Sequence, residues 1–154
     1  MDISHDYEEL FRILNDCKIK YLVVGAYAVI FYSEPRYTKD IDIWISPEAN
    51  DVNRIYQSLK KFGAPLTRVS PDDFKDRNMI FQIGVAPVRI DIMMDLPGVS
   101  FELAWENRKK THYGKTPINI LGISQLIQAK KKAKRTQDKI DLERLLQIVK
   151  HKKK

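Results

Sequence analysis

The sequence predicts an α+β domain, α/β-like in its layering, with a small mixed β-sheet flanked by helices. Short runs rich in β-branched residues alternate with segments whose apolar residues recur at helical spacing. Two of the runs, 40–45 and 88–93, alternate between apolar and other side chains, as half-buried strands do. From residue 124 onward the chain shows only helical patterns.

Six segments are predicted to be helical. Five apolar residues of the first recur at spacings of three and four. The second stops before Pro35, because the residue before a proline disfavours helical backbone. The pair Ser46-Pro47 predicts the first turn of the third helix, Gly63 its end, and Ser124 the cap of the fifth. The predicted ranges are 6–17, 26–32, 46–62, 101–109, 124–130 and 140–149.

Five strands are expected, at 21–24, 40–45, 79–85, 88–93 and 118–121. The first ends at Gly25, and the third and fourth are joined by a turn at Ala86-Pro87. All elements fit one domain over 1–154, with a core at 1–122, a helical segment at 123–150 and a basic tail at 151–154.

The composition bounds the class of protein. The chain is 44% hydrophobic and 31% charged, and no apolar run approaches the ~20 residues that span a membrane. We therefore expect no membrane partner. Residues 1–6 lack a secretory signal pattern, and the lone Cys17, expected to be a packed thiol, excludes an internal disulfide. A cytoplasmic location is expected, and the oligomeric state is left open.

The net charge of +7 is concentrated near the carboxyl terminus. Residues 130–154 hold 11 of the 27 Lys and Arg residues and three acidic ones. Such a block could contact nucleic acid or a polyphosphate. Alternatively, it is a solvated helix face followed by a frayed lysine tail.

Two aspartates stand two residues apart within an apolar, β-branched run. On a strand, Asp40, Asp42 and Trp44 share one face, and the intervening isoleucines share the other. The two carboxylates are about 6.6 Å apart at their bases, close enough to bind one cation. The alternative is an edge strand that carries charges against aggregation.

Two further features accompany this pair. Gly25 joins a strand to a helix, where glycine permits close backbone approach and the helix N-terminus offers N–H groups to a phosphate, although many such junctions are purely structural. Asp91 lies on a later strand, where it could instead pair with Arg89, Arg36 or Arg108. Three carboxylates suit Mg²⁺, and two such ions can clamp the attacking and leaving oxygens of an in-line displacement.

These motifs resemble the DNA polymerase β-like nucleotidyltransferase superfamily. Its signature, apolar-Gly-(Gly or Ser), a spacer and Asp-apolar-(Asp or Glu)-apolar, is similar to Gly25-Ala26, thirteen residues, and Asp40-Ile41-Asp42-Ile43. The longer run from Arg36 to Ile45 resembles small prokaryotic nucleotidyltransferases, related to the minimal and toxin–antitoxin members. Leu126-Ile127, Lys130, Arg135, Asp138 and Asp141 resemble that group's C-terminal helical motif.

The resemblance implies a nucleotidyltransferase fold and a role for each motif residue. Asp40 and Asp42 would bind Mg²⁺, or alternatively Mn²⁺, and Asp91 would complete the ion's shell and help to activate the acceptor hydroxyl. Gly25 and Ala26 would offer backbone N–H groups to the β and γ phosphates.

Other candidates have structural alternatives. Arg36, Thr38 and Lys130 could touch the triphosphate, or could close loops and line a solvated helix face. Asp138 and Asp141 could simply pair with Arg135 or Arg144, one helical turn away. Trp44 could stack on a base or pack in the core, and Trp105 is expected in the core.

The implied activity is Mg²⁺-dependent transfer of a nucleoside monophosphate from an NTP, with release of pyrophosphate. The acceptor would be a hydroxyl of an RNA 3′ end, a protein or a small molecule. An alternative from another class is a non-catalytic nucleotide- or nucleic-acid-binding module, such as an antitoxin with a toxin partner. The three aspartates favour the enzyme, whereas Ala26, where the superfamily prefers Gly or Ser, favours the alternative.

Overall fold

A computed structural model describes residues 5–33, 40–84 and 89–152, which build one mixed sheet with helices packed around it. The fold class predicted from the sequence is confirmed. The strands in these ranges are β1 Leu22–Val24, β2 Asp40–Trp44, β3 Ile80–Ile83, β4 Arg89–Met93, β5 Lys109–Tyr113 and β6 Thr116–Ile120. The helices are α1 His5–Asp16, α2 Gly25–Tyr32, α3 Val52–Phe62, α4 Phe101–Glu106, α5 Ile123–Ala133 and α6 Thr136–Lys152.

The strand order in the sheet is β3-β4-β2-β1-β6-β5. Two pairs are parallel, β2 with β4 and β1 with β6, and the other three pairs are antiparallel. The strand that carries Asp40 and Asp42 is therefore an interior strand with a partner on each side. This contradicts the interpretation of the two aspartates as charges that guard a sheet edge.

The core forms on the isoleucine face of β2, as the alternation predicts. Ile41 and Ile43 are fully buried, together with Leu10, Phe11 and Leu14 of α1. Helix α1 packs against α3 and β6, whereas α2 packs against β1, β2, α5 and α6. Half-buried Cys17 packs against this core, which agrees with its predicted role as a packed thiol.

The third helix begins later than Ser46. Its first residue is Val52, because the Asp51 carboxylate accepts a 2.8 Å hydrogen bond from the Asn53 N–H and caps the helix there. Ser46 instead accepts from the Glu48 N–H at 3.2 Å within a turn. Gly63 ends the helix with a φ of 93°, as predicted.

The fourth helix is shorter than expected, and a strand follows it. Helix α4 ends at Glu106, so the predicted continuation to Lys109 is wrong, and β5 was not predicted. Three of its first four residues are Lys109, Lys110 and His112, which give no apolar alternation, and β5 lies at the edge of the sheet. A 3₁₀ helix at Pro71–Lys75 was also not predicted.

Other boundaries moved by a few residues. Helix α5 is capped at Gly122 rather than Ser124, and α6 starts at Thr136. The predicted turn at Ala86-Pro87 lies outside the described residues. Within the described ranges, no helix has the length and apolar character needed to cross a bilayer.

Candidate active site

Four charged side chains lie on one face of the sheet where β2 runs beside β4. The parallel register pairs Asp42 with Asp91 and Asp40 with Arg89. Because residues two apart on a strand share a face, both pairs point to the same side. The three aspartates predicted from the sequence are thus brought together by strand pairing alone.

Arg89 bridges two of these carboxylates. Its Nη2 atom lies 3.2 Å from Asp40 Oδ2 and 3.3 Å from Asp91 Oδ2. The ion pair between Arg89 and Asp91, which the sequence offered as an alternative to a metal role, is therefore present. The contact to Asp40 was not predicted, although the strand register that produces it follows from aligning the two runs as parallel neighbours.

Gly25 lies directly against the Asp42 carboxylate. Strand β1 pairs Val24 with Asp42, and the next residue turns with a φ of 67° into α2. A Cβ atom on Gly25 would lie 2.9 Å from Asp42 Cγ and still closer to Oδ2. The glycine is therefore required by both its backbone conformation and the approach of the carboxylate. Ala26 follows as the second residue of α2.

The environment of Asp42 favours a cation beside it. Its pKa is raised from near 4 to about 6, mainly by burial and then by the charges of Asp91 and Asp40, against the opposing effect of Arg89 and Lys130. Asp91 is 8% exposed, and its Oδ1 atom is buried without a hydrogen-bond partner. Carboxylate oxygens are the ligands that Mg²⁺ and Mn²⁺ accept, so the donor set fits a hard divalent ion.

The carboxylates do not already form a finished metal cage. In the part of the chain that the structure describes, no group of three His, Cys, Asp or Glu side chains is arranged as a metal site. The bridge from Arg89 holds two of the three aspartates through one oxygen each.

Lys130 is half-buried, with only 10% of its side chain exposed, and it is doubly paired. Its Nζ atom lies 2.9 Å from Asp138 Oδ1 and 3.3 Å from Asp141 Oδ2, and both carboxylates are 1% exposed. The interpretation of Lys130 as part of a solvated helix face is therefore wrong. Arg135 also binds Asp138, through Nε at 2.9 Å, as one alternative from the sequence proposed. Burial alone would raise the pKa of Asp138, but the hydrogen bonds from Arg135 and Lys130 outweigh it and lower the pKa to about 2.

A cleft of about 140 Å³ joins Asp42 to the C-terminal helices, and Asp40 and Asp91 are not among the residues that line it. Its wall includes Gly25, Asp42, Lys130, Arg135 and Asp138. The junction of β1 with α2 thus faces the cations of the C-terminal helices across one small space. A larger cavity of about 480 Å³ borders Lys20, Ser46 and Trp105, at the opposite end of β1 and β2, and none of the predicted site residues lines it.

Of the remaining predicted residues, two lie outside the part of the chain that the structure describes, and the other two are tryptophans. Arg36 and Thr38 fall within 34–39, outside the described residues. Trp44 is only 2% exposed, and its Nε1 donates to the Met94 carbonyl at 3.3 Å. Its ring packs edge-on against Phe101 at 4.9 Å, so the packing role is confirmed and stacking on a base is not supported. Trp105 is half-buried, with the Arg108 guanidinium 3.8 Å from its ring centre.

Several solved structures share this fold. A lincosamide antibiotic adenylyltransferase, LnuA, solved with lincomycin bound, aligns with a TM-score of 0.57 and 15% identity over 96% of this chain and 99% of its own. TM1012, a putative nucleotidyltransferase from Thermotoga maritima, aligns with a TM-score of 0.60 and 17% identity over 92% and 90%. The antibiotic-resistance factor ANT(2'')-Ia gives 0.61 and 8% over 94% and 82%.

No curated protein matches the chain in sequence. A family model does, over residues 3–154, and its description is "Nucleotidyl transferase of unknown function (DUF2204)". The matched range contains Gly25, the three aspartates and the C-terminal helices that close the cleft. The chain belongs to this family of nucleotidyl transferases.

Proposed function

We propose that the protein transfers a nucleoside monophosphate from an NTP to an acceptor hydroxyl and requires a divalent metal ion to do so. One observation carries the proposal: Asp42 and Asp91 stand in register on one sheet face, and Asp42 touches the glycine that starts α2. Two carboxylates that would bind the metal thus lie close to a helix N-terminus, which attracts phosphate.

The metal ligands would be Asp40, Asp42 and Asp91. The burial and the neighbouring carboxylates that raise the pKa of Asp42, together with the unpartnered Oδ1 of Asp91, favour binding of Mg²⁺ or Mn²⁺. When bound, the ion would neutralise charge on the triphosphate and lower the pKa of the acceptor hydroxyl.

The phosphates would lie in the cleft between α2 and α5. Gly25 and Ala26 present backbone N–H groups at the first turn of α2, where no side chain caps the helix. Lys130 and Arg135 supply positive charge from the other wall. The cleft volume of about 140 Å³ is below the roughly 300–1,000 Å³ of pockets that enclose whole ligands, so we expect it to hold the phosphate chain only.

The reaction would be an in-line displacement at the α-phosphorus. The acceptor oxygen forms a bond to that phosphorus, the bond to the oxygen bridging to the β-phosphate breaks, and pyrophosphate leaves with that oxygen. Asp91 would help to activate the acceptor hydroxyl through the ion that it binds, and the proton of the hydroxyl would pass to solvent water.

Calorimetric titration with a non-hydrolysable NTP tests the binding step. In Mg²⁺ the wild type should bind, and Asp42→Asn, which keeps the shape of the side chain and removes its charge, should bind at least tenfold more weakly. Asp72→Asn is the matched control, because Asp72 is 81% exposed on the 3₁₀ helix, away from the cleft. If the wild type binds no NTP with either Mg²⁺ or Mn²⁺, the proposal is wrong.

Labelling tests the transfer and the acceptor. Incubation with cell extract and α-³²P-labelled NTPs should release pyrophosphate and leave a labelled product. Digestion with ribonuclease or protease then shows whether RNA, protein or a small molecule carries the label. A non-catalytic module would bind the nucleotide without forming pyrophosphate. A toxin–antitoxin partner stays a prediction, tested by co-purification with the product of the neighbouring reading frame.

A further inference from the structure

Arg89 occupies a fixed place within the carboxylate group. It lies opposite Asp40 in the register of β2 and β4 and two residues before Asp91 on the same face. Its backbone carbonyl accepts a hydrogen bond from the Tyr7 hydroxyl at 3.1 Å, which ties this end of β4 to α1. The guanidinium thus starts from a restrained backbone position.

The pattern of its bonds is selective. A single nitrogen, Nη2, contacts Oδ2 of Asp40 and Oδ2 of Asp91, rather than both oxygens of either carboxylate. The second oxygen of Asp91 is left buried without a partner. Arginine often binds a carboxylate through two parallel bonds, which would use both oxygens. The single shared nitrogen instead leaves Asp91 Oδ1 available to another cation.

The contacts from Arg89 to Asp40 and Asp91 counter both the free rotation of these carboxylates and the repulsion in the carboxylate group. Rotation about the terminal torsion of an aspartate is broad, so an unrestrained carboxylate samples many orientations. The charges of Asp40 and Asp91 also each repel that of Asp42. One donor shared between them reduces that repulsion and restricts both carboxylates.

We propose that Arg89 is a positioning residue for the metal site, which holds Asp40 and Asp91 by one oxygen each so that Asp91 Oδ1 faces the ion. The inference rests on the proposed function, since it assumes that these aspartates bind metal. This role of Arg89 differs from that of a cation that merely substitutes for the metal. A substitute would have to leave before the metal binds, whereas a positioning residue stays in place and strengthens metal binding.

The two roles predict opposite changes in metal affinity when Arg89 is replaced. Titration with Mn²⁺ alone, with the free ion followed by electron paramagnetic resonance, measures that affinity without relying on activity. If Arg89 positions the ligands, Arg89→Met should weaken Mn²⁺ binding roughly 10–100-fold, as loss of groups that orient metal ligands does. Arg89→Lys keeps the charge but not the planar fork and should also bind more weakly, by at least about threefold.

Arg77→Met provides the matched control. Arg77 pairs with Glu48 on the surface, so its loss removes a similar charge and ion pair and should leave Mn²⁺ affinity unchanged. Circular dichroism confirms that each variant is folded, and Arg89→Lys serves as the test if Arg89→Met does not fold.

The possible results separate the two proposals. If the wild type binds Mn²⁺ and the Arg89 variants bind equally well or more tightly, Arg89 is a competitor or a bystander, and this inference is overturned while the proposed function stands. If the wild type binds no Mn²⁺, the metal-dependent function and this inference are both wrong.

Discussion

The Asp42 carboxylate rests against Gly25, so that the glycine position has no space for a side chain. The two residues are far apart in sequence and meet because β1 and β2 are antiparallel, with Val24 paired to Asp42. The proposed metal ligands and the proposed phosphate-binding turn therefore meet in this one contact.

Gly25→Ala should be strongly destabilising and should abolish nucleotide binding. The new Cβ would displace the Asp42 carboxylate, and the φ of 67° disfavours any L-residue. We expect a loss of about 2–5 kcal/mol in the free energy of unfolding, measured in urea. NTP binding should be lost even in the folded fraction.

Gly63→Ala separates the effect of a positive φ from the effect of a clash with Asp42. Gly63 also has a positive φ, of 93°, but no atom lies within 4 Å of its hypothetical Cβ. It should lose only about 1–2 kcal/mol and keep full NTP affinity. Similar losses in both variants would show that the contact with Asp42 adds nothing.

Asp42→Asn should stabilise the metal-free protein at neutral pH. The Asp42 pKa is near 4 in the unfolded chain and about 6 in the folded one, so between these values the folded state binds more protons. The stability of the wild type therefore falls as pH rises through this window. Two pKa units correspond to at most about 3 kcal/mol, which the variant should recover at pH 7.5.

Urea unfolding in a chelator at pH 4 and pH 7.5 measures this difference. The advantage of Asp42→Asn should shrink toward pH 4, where the wild-type carboxyl is protonated. Asp72→Asn, at an exposed position, should show no such trend. An Asp42→Asn variant that is less stable than the wild type at pH 7.5 would contradict the prediction that the Asp42 charge destabilises the metal-free fold.

Lys130→Met should destabilise the C-terminal helices. It would leave Asp138 and Asp141, each 1% exposed, without their shared ammonium group. Breaking a buried pair in this way costs about 3–5 kcal/mol. Lys131→Met, at the exposed neighbouring position, should change the free energy of unfolding by less than about 0.5 kcal/mol.

A triple variant separates stability from binding. Adding Asp138→Asn and Asp141→Asn to Lys130→Met removes the two carboxylate charges that Lys130 pairs with and should recover much of the lost stability. If Lys130 also binds the triphosphate, NTP affinity measured by calorimetry stays low in the triple variant. Recovery of wild-type affinity would limit Lys130 to a structural role.

The sequence predicted that the three aspartates would lie close together, because strand alternation and the order of the motifs determine their placement. Only one further fact, the parallel pairing of β2 with β4, is needed to bring Asp91 beside Asp40 and Asp42. The glycine contact likewise follows from one antiparallel pair. Local patterns sufficed where neighbouring strands bring the residues together.

The environment of Lys130 could not be predicted in this way. Its partners, Asp138 and Asp141, lie on the next helix, and they meet it because Lys134 turns with a φ of 64° and folds α6 back on α5. A lysine-rich segment looks solvated until that turn is known. Strand β5 was missed for a related reason, since an edge strand with a polar sequence lacks the apolar alternation that identifies a strand.

Trp44→Phe should lower stability without changing nucleotide preference. Trp44 shares the face of Asp42 by alternation, yet it is buried, bonded to the Met94 carbonyl and packed on Phe101. Losing that hydrogen bond should cost about 1–3 kcal/mol, measured in urea. Calorimetry with ATP and GTP analogues should give wild-type affinities and an unchanged ratio, and so should Phe101→Leu, which loosens the same packing. A changed ratio in folded Trp44→Phe alone would show instead that the indole contacts the base.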